Sequence, residues 1–251
     1  MATITILGCA YSIPDATHET THFAVRAEHS GILVDCGTNP TVRLAQAGIS
    51  YDCITDMILT HFHPDHISGA PLMLLNMWLL GRKHPLRIHA PAHCLQRFGQ
   101  LMEAYDWQHW PGLFSVEMHH IPLRENALVL ANSDFTISAS PGEHMVPVVG
   151  LRITDESCRK VLAYSSDTAP CDSISRLAAG ADVLLHEATG PSIGHSSAAQ
   201  AGQVAARAQV GKLYLIHYDL HSAKESNLIS EARSHFGGRV ELARDLMTID
   251  L

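Results

Sequence analysis

The chain has 251 residues, 46% of them hydrophobic, enough to bury a sizeable core as one domain or two closely packed halves. Its formal charge of -8, from 25 acidic against 17 basic side chains, argues against the broad basic surface that wraps long nucleic acids. Six cysteines without a C-x-x-C pair read as reduced thiols, not as a disulfide framework or a structural zinc site.

In chain order, residues 3–7, 22–27, 31–36 and 56–60 read as short strands. Met1-Ala2-Thr3-Ile4 leads straight into the first, with no basic leader and no cleavable apolar segment. The longest apolar run, 67–80, is interrupted by Ser68, Pro71 and Asn76 and is too short to span a bilayer. A cytoplasmic protein with no membrane partner is expected. Between these elements stands Thr60-His61-Phe62-His63-Pro64-Asp65-His66, an H-x-H-x-D-H run at the end of an apolar strand. Alternation sends His61 and His63 to one side, while the turn carries Asp65 and His66 a few ångströms away. That arrangement suits two adjacent transition-metal ions, with imidazole and carboxylate matching zinc, iron or manganese.

After the motif, Leu72, Leu75, Met77, Leu79 and Leu80 mark an apolar helix face running to residue 80. Residues 86–89 read as a strand and 91–105 as a helix started by Pro91. Segment 105–114 holds Trp107, Trp110 and Phe114, which suits a lid, a dimer contact or a loop folded back on the surface. Strands follow from 116 to 154, with turns at Glu125-Asn126 and Pro141-Gly142. Strands 161–164, 183–185 and 213–216 then end in Ser165-Ser166-Asp167, His186-Glu187 and His217, alternating with helices at 173–179, 196–208 and 223–235. Reactive residues thus recur at strand ends, where a site forms along one sheet edge. With no linker-like tract, residues 1–251 are expected to form a single α/β domain of two similar halves, a four-layer α/β/β/α sandwich.

The motif and its surroundings resemble the metallo-β-lactamase superfamily, and within it the ribonuclease Z-like group. Leu7-Gly8 with Pro14 looks like the family's first strand and glycine loop, and Val34-Asp35-Cys36-Gly37 like its aspartate-glycine turn. Further matches are Pro141-Gly142-Glu143-His144, Ser165-Ser166-Asp167-Thr168, His186-Glu187-Ala188-Thr189, Gly194-His195-Ser196-Ser197 and Leu215-Ile216-His217. The resemblance covers almost the whole chain. It implies one metal ion on His61, His63 and His144, a second on Asp65, His66 and His217, and Asp167 as bridge, with zinc favoured over manganese or iron. Two departures stand out. Only 23 residues separate His144 from Asp167, room for a hairpin instead of the long transfer-RNA-binding arm. The loop from Pro14 to Thr20 also lacks the group's basic Arg-Asn feature.

The chemistry expected from such a site is hydrolysis. A water bridging two zinc ions has its pKa brought to about 7. Asp65 is placed to hold the proton of the resulting hydroxide, His195 to protonate the leaving group, and Glu187 to orient His195. The plainer alternative makes Ser196 a helix cap and His195 a solvated loop residue. His186 is read as structural, and His18 and His22 as surface histidines. The leading function is a dinuclear phosphodiesterase acting on a small or cyclic phosphodiester or an RNA end. A small anionic substrate is favoured, because two ions would leave the site locally at about +1 while the net charge disfavours RNA. Alternatives are a transfer-RNA 3′-end endoribonuclease, an esterase, lactonase or arylsulfatase on the same metals, and a non-catalytic scaffold. The resemblance also implies a homodimer, for which the Leu72–Leu80 face is one candidate.

Overall fold

The central strands are buried on both faces, and this decides the architecture. The computed structural model describes residues 1–221 and 224–251. In β3 (Gly31–Val34), Ile32 and Val34 join the core between two sheets, while Leu33 joins a second core under helices. The first sheet also holds β1 (Thr3–Gly8), β2 (His22–Arg26), β4 (Asp56–Ile58), β5 (Leu86–Pro91) and β6 (Val116–Ile121). Helices α1 (Pro40–Gln46), α2 (Pro64–Ile67), α3 (Ala70–Leu79) and α4 (Ala92–Glu103) belong to this half. The second sheet runs through β7 (Ala127–Ala131), β8 (Phe135–Pro141), β9 (Val149–Asp155), β10 (Val161–Tyr164), β11 (Val183–Ala188), β12 (Lys212–Tyr218) and β13 (Arg239–Leu242). Its helices are α5 (Asp172–Leu177), α6 (Ala198–Ala208) and α7 (Glu225–Arg233). The last strand, β14 (Thr248–Asp250), returns to the first sheet and pairs antiparallel with β1.

The sheet orders are β14-β1-β2-β3-β4-β5-β6 and β13-β12-β11-β10-β9-β8-β7. Each sheet contains three antiparallel pairings and three parallel ones. The result is the expected α/β/β/α sandwich of two similar halves. Parallel strands deliver their carboxyl ends to one edge, where a crevice can form. No helix among the described residues is long and apolar enough to cross a membrane.

Several local expectations are corrected. The helix read from 67 to 80 is broken at Ser68-Gly69, giving α2 and α3. A Cβ on Gly69 would lie 1.8 Å from the Gly37 carbonyl oxygen, so this point is where two loops touch. Pro91 closes β5 instead of opening a helical turn, and α4 starts at Ala92. The helix expected at 196–208 starts at Ala198, capped by Ser197 and Gln200 in a reciprocal capping box, so Ser196 is not the cap. Of the helix expected at 223–235, Ala223 lies outside the described residues and α7 spans the remainder in part. Segment 105–114 folds back on the helices: Trp110 stacks on Trp78 at 5.2 Å, and Trp78 Nε1 donates to the Pro111 carbonyl. His22 is fully buried on β2 and not at the surface.

Candidate metal centre

All seven residues proposed as ligands meet at the strand ends. His61 and His63 lie in the loop after β4, and Asp65 and His66 in α2, started by Pro64 at its first position. His144 follows β8, Asp167 follows β10, and His217 sits at the end of β12. They form two donor clusters sharing one residue: His61, His63, His144 and Asp167, then Asp65, His66, His217 and Asp167.

The spacing is that of a coordination shell. Metal–nitrogen bonds of about 2.0–2.1 Å at tetrahedral angles put ligand atoms about 3.3–3.4 Å apart. In the second cluster, His66 Nε2 is 3.3 Å from His217 Nε2, and Asp65 Oδ2 is 3.3 Å from His217 Nε2 and 3.4 Å from His66 Nε2. Asp167 Oδ1 completes it at 3.4 and 3.5 Å from the same nitrogens. In the first cluster, His63 Nδ1 is 3.2 Å from His61 Nε2 and 3.0 Å from His144 Nε2. Asp167 Oδ2 stands 3.8 and 3.9 Å from His61 and His144.

Hydrogen bonds from behind set the tautomers. Thr60 Oγ1 has one proton, which goes to the acceptor-only Asp35 carboxylate at 2.9 Å. The Thr60 oxygen therefore accepts from Ser166 Oγ at 2.9 Å and from His61 Nδ1 at 3.0 Å. His66 Nδ1 donates to Asp35 Oδ2 at 2.9 Å, and His144 Nδ1 to the Gly194 carbonyl at 2.7 Å. Thr189 Oγ1 gives its proton to the His217 carbonyl and accepts from His217 Nδ1 at 2.8 Å. Four rings thus commit Nδ1 behind the site and turn Nε2 inward, where a cation can take their lone pairs. Asp167 gives the sharper sign. It is buried, and its Oδ1 receives no hydrogen bond. An ionised carboxylate in that position needs a cation beside it. The residues fit divalent metal ions.

Electrostatics agree. Burial, with the neighbouring His66 charge, holds His61 well below the ordinary imidazole pKa, and burial followed by His144 lowers His63. Burial also opposes charge on His66, yet Asp167, Asp35 and Asp65 outweigh it and raise that ring well above the usual value. The same three carboxylates would favour any cation held there. Burial raises the Asp167 carboxyl, but His217 and His66 overcome it and keep it well below the carboxylate range.

His195 and Glu187 lie beside the clusters. His195 Nδ1 donates to Glu187 Oε1 at 3.0 Å, and its ring lies 4.8 Å from His144 and 5.9 Å from His217. Burial lowers its pKa, but the Glu187 bond and charge outweigh that and raise it. Glu187 is fully buried and accepts from Thr168, Ser196 and Thr189 backbone N–H groups as well. Three of these four donors converge on Oε1 and one on Oε2, so the Glu187 carboxylate is held firmly against the His195 ring. His186 is buried, with Nδ1 on the Glu187 carbonyl, as a structural residue would be.

Asp35, Thr60 and Thr189 were given no role by sequence reasoning, nor was the Gly194 carbonyl. Asp35, with φ 57°, Ser166 and His217, each with φ 53°, adopt the left-handed backbone rare for such residues. All three sit where a strand breaks off to aim a side chain or carbonyl into the centre, the usual place for backbone strain.

A family model described as a beta-lactamase superfamily domain matches residues 31–218. The curated ribonuclease Z of Mycobacterium marinum is 30% identical over 281 residues, covering 100% of this chain and 99% of that protein. Among solved structures, the metallo-beta-lactamase fold protein YhfI from Bacillus subtilis superposes with a TM-score of 0.84 at 24% identity, covering 99% of this chain and 98% of that one. The short form of human tRNase Z gives 0.82, also at 24% identity with the same coverages. At those identities both structures speak to the fold. The family match, the full-length relative and the two donor clusters converge: the chain belongs to the beta-lactamase superfamily and is a metal-dependent hydrolase of its ribonuclease Z-like group.

Proposed function

We propose that the chain is a phosphodiesterase working with two divalent ions, one on His61, His63 and His144, the other on Asp65, His66 and His217. Asp167 is shared between them. The observation that carries this reading is Asp167 itself, whose Oδ1 faces one imidazole pair while Oδ2 faces the other. The nitrogen-rich donor set suits zinc best.

When bound, such ions supply Lewis-acid polarisation and a water acidic enough to ionise near neutral pH. The chain's own residues supply the rest. Asp65 turns Oδ2 toward His66 and His217, so Oδ1 is the oxygen available to take a proton from the attacking water. His195, held at Nδ1 by Glu187 and kept readily protonated by it, offers Nε2 to the departing alkoxide. Glu187 acts only through His195.

An RNA end is the better supported substrate, because a relative alike over its whole length is a ribonuclease Z. That shifts weight from the small anionic substrate suggested by the acidic composition. One observation keeps the small diester as a second reading. The path from His144 to Asp167 is the tight antiparallel pair β9 and β10, with Thr154 opposite Val161, and no projecting arm. The test is zinc-loaded protein given precursor transfer RNA with a 3′ trailer and, separately, bis(p-nitrophenyl) phosphate, with Asp65→Ala as control. Trailer removal lost in the variant supports the RNA reading. Turnover of the small diester beside intact RNA supports the second. Neither activity from fully metallated protein sinks both.

A further inference from the structure

Both donor clusters straddle the sandwich. His61, His63, Asp65 and His66 come from the first half, and His144, Asp167 and His217 from the second. Any ion held there therefore depends on how the two halves are set against each other. Within its own half, Asp167 is fixed through both of its neighbours. Ser165 Oγ donates to the Ser166 carbonyl at 2.7 Å and accepts the Glu187 N–H at 3.0 Å, while the Thr168 N–H donates to Glu187 Oε1 at 3.0 Å. Ser166, between Ser165 and Asp167, reaches the other way. Its Oγ donates across the sandwich to Thr60 Oγ1 at 2.9 Å, a bond that joins the residue before Asp167 to the residue before His61. The Val149 N–H, also from the second half, holds the Thr60 carbonyl at 3.2 Å. Ser166 and Thr60 are fully buried, so bulk water has no access to replace the bond.

Ser166 makes this bond at φ 53°, a backbone conformation that suits glycine and is rare for serine. A glycine would hold the same turn without the strain, but it has no hydroxyl to send across. We propose that Ser166 is a positioning residue, whose hydroxyl clasps Thr60 and so sets the shared Asp167 against His61 and His66. The inference rests on the two-ion reading and adds to it the device that keeps the shared carboxylate in register. Removing the hydroxyl leaves the ligand tautomers alone, because Thr60 Oγ1 still donates to Asp35 and still accepts from His61 Nδ1. What changes is the freedom of Asp167 to draw back from imidazole nitrogens that stand 3.4 to 3.9 Å from its oxygens. Both clusters contain Asp167, so both should weaken together.

The experiment measures zinc affinity by chelator competition, and urea unfolding of the metal-free chain, for Ser166→Gly and Ser166→Ala. Both variants lose the hydroxyl, but only alanine keeps the strain, so the glycine variant should unfold at the higher urea concentration. Zinc affinity should nonetheless fall by the same factor in both, about tenfold, the scale of changes made behind metal ligands. Affinity equal to that of the wild-type chain, or a loss that follows the urea midpoint, makes Ser166 merely structural and overturns the proposal. Thr60→Val removes the other end of the clasp, and adding Ser166→Gly to it should cost no further affinity; additive losses also overturn the proposal. If the wild-type chain binds a single equivalent of zinc, the two-ion reading fails. The clasp is then decided by the affinity for that ion in the same variants, since either cluster draws on both halves. A wild-type chain that binds no zinc overturns both.

Discussion

Asp35→Asn should loosen the metal centre without touching a proposed ligand. Asp35 is fully buried and accepts from the Thr60 N–H at 2.8 Å, Thr60 Oγ1 at 2.9 Å and His66 Nδ1 at 2.9 Å. An asparagine there keeps one accepting oxygen and replaces the other with an NH₂ donor. If the oxygen stays with Thr60, the amide nitrogen confronts the His66 Nδ1–H, and relief requires His66 to move its proton to Nε2. That ring then loses the lone pair it turns toward Asp65, His217 and Asp167. Loss of one hydrogen bond to a charged group costs about 1.5–3 kcal/mol, and changes behind metal ligands typically weaken binding about 10–100-fold. Zinc affinity at the His66 cluster should fall by that factor, with the His61 cluster less affected. Competition with a chromophoric chelator measures both. Thr189→Val, which removes the hydroxyl behind His217 Nδ1, should weaken the same cluster and guards against a folding artefact in the first variant. Unchanged zinc affinity in both variants would refute the assignment of tautomer control to these residues.

His195→Ala should slow cleavage of diesters with alkoxide leaving groups by about 10²–10⁴-fold, while p-nitrophenolate, which needs no proton, is spared most of that loss; equal losses on both would remove His195 from leaving-group protonation. Gly69→Ala forces a Cβ to within 1.8 Å of the Gly37 oxygen and should cost about 3 kcal/mol in chemical unfolding, whereas Gly99→Ala, with open space on α4, should stabilise by about 0.5–1 kcal/mol. Asp155 is buried, and although burial raises its carboxyl, bonds from Ser157, the Ala2 N–H and Cys158 bring it down to about 2. Because the folded-state value is depressed, its contribution of up to about 2 kcal/mol is fully present above the ordinary carboxylate pKa and is lost as pH falls through about 2. The stability gap between the metal-free wild-type chain and Asp155→Asn, followed by urea unfolding, should therefore narrow from pH 5 down to pH 2, and a gap that stays constant would contradict this.

The metal centre was partly legible in the sequence because four of its members crowd into His61–His66, where local geometry alone demands two targets. His144, Asp167 and His217 were legible only through family resemblance, since nothing in their spacing says that their strand ends meet. Glu187 is legible as the partner of His195, but the part that Asp35 and Thr189 play behind the ligands is not. Asp35 reaches His66 across 31 positions, and Thr189 reaches His217 across 28. Those contacts arise from the parallel neighbours β3 and β4, and β11 and β12, a pairing that periodicity cannot supply. The break at Ser68-Gly69 escaped notice because leucine spacing suggested one helix, while the cause is the approach of Gly37 from a different loop. Burial of His22 was missed for a similar reason: the ring is hidden by neighbours in space and bonds the Thr20 carbonyl at 2.7 Å.

The central claim is that two ions together make this chain a phosphodiesterase. It is tested most directly by titrating the metal-free protein with zinc while following bound metal and cleavage of 3′-extended precursor transfer RNA and of bis(p-nitrophenyl) phosphate in parallel. The account predicts binding of two equivalents, with hydrolysis of a diester appearing as the second is filled and absent throughout in Asp167→Ala. Saturation at one equivalent with full activity, or two equivalents bound with neither diester cleaved, would contradict it.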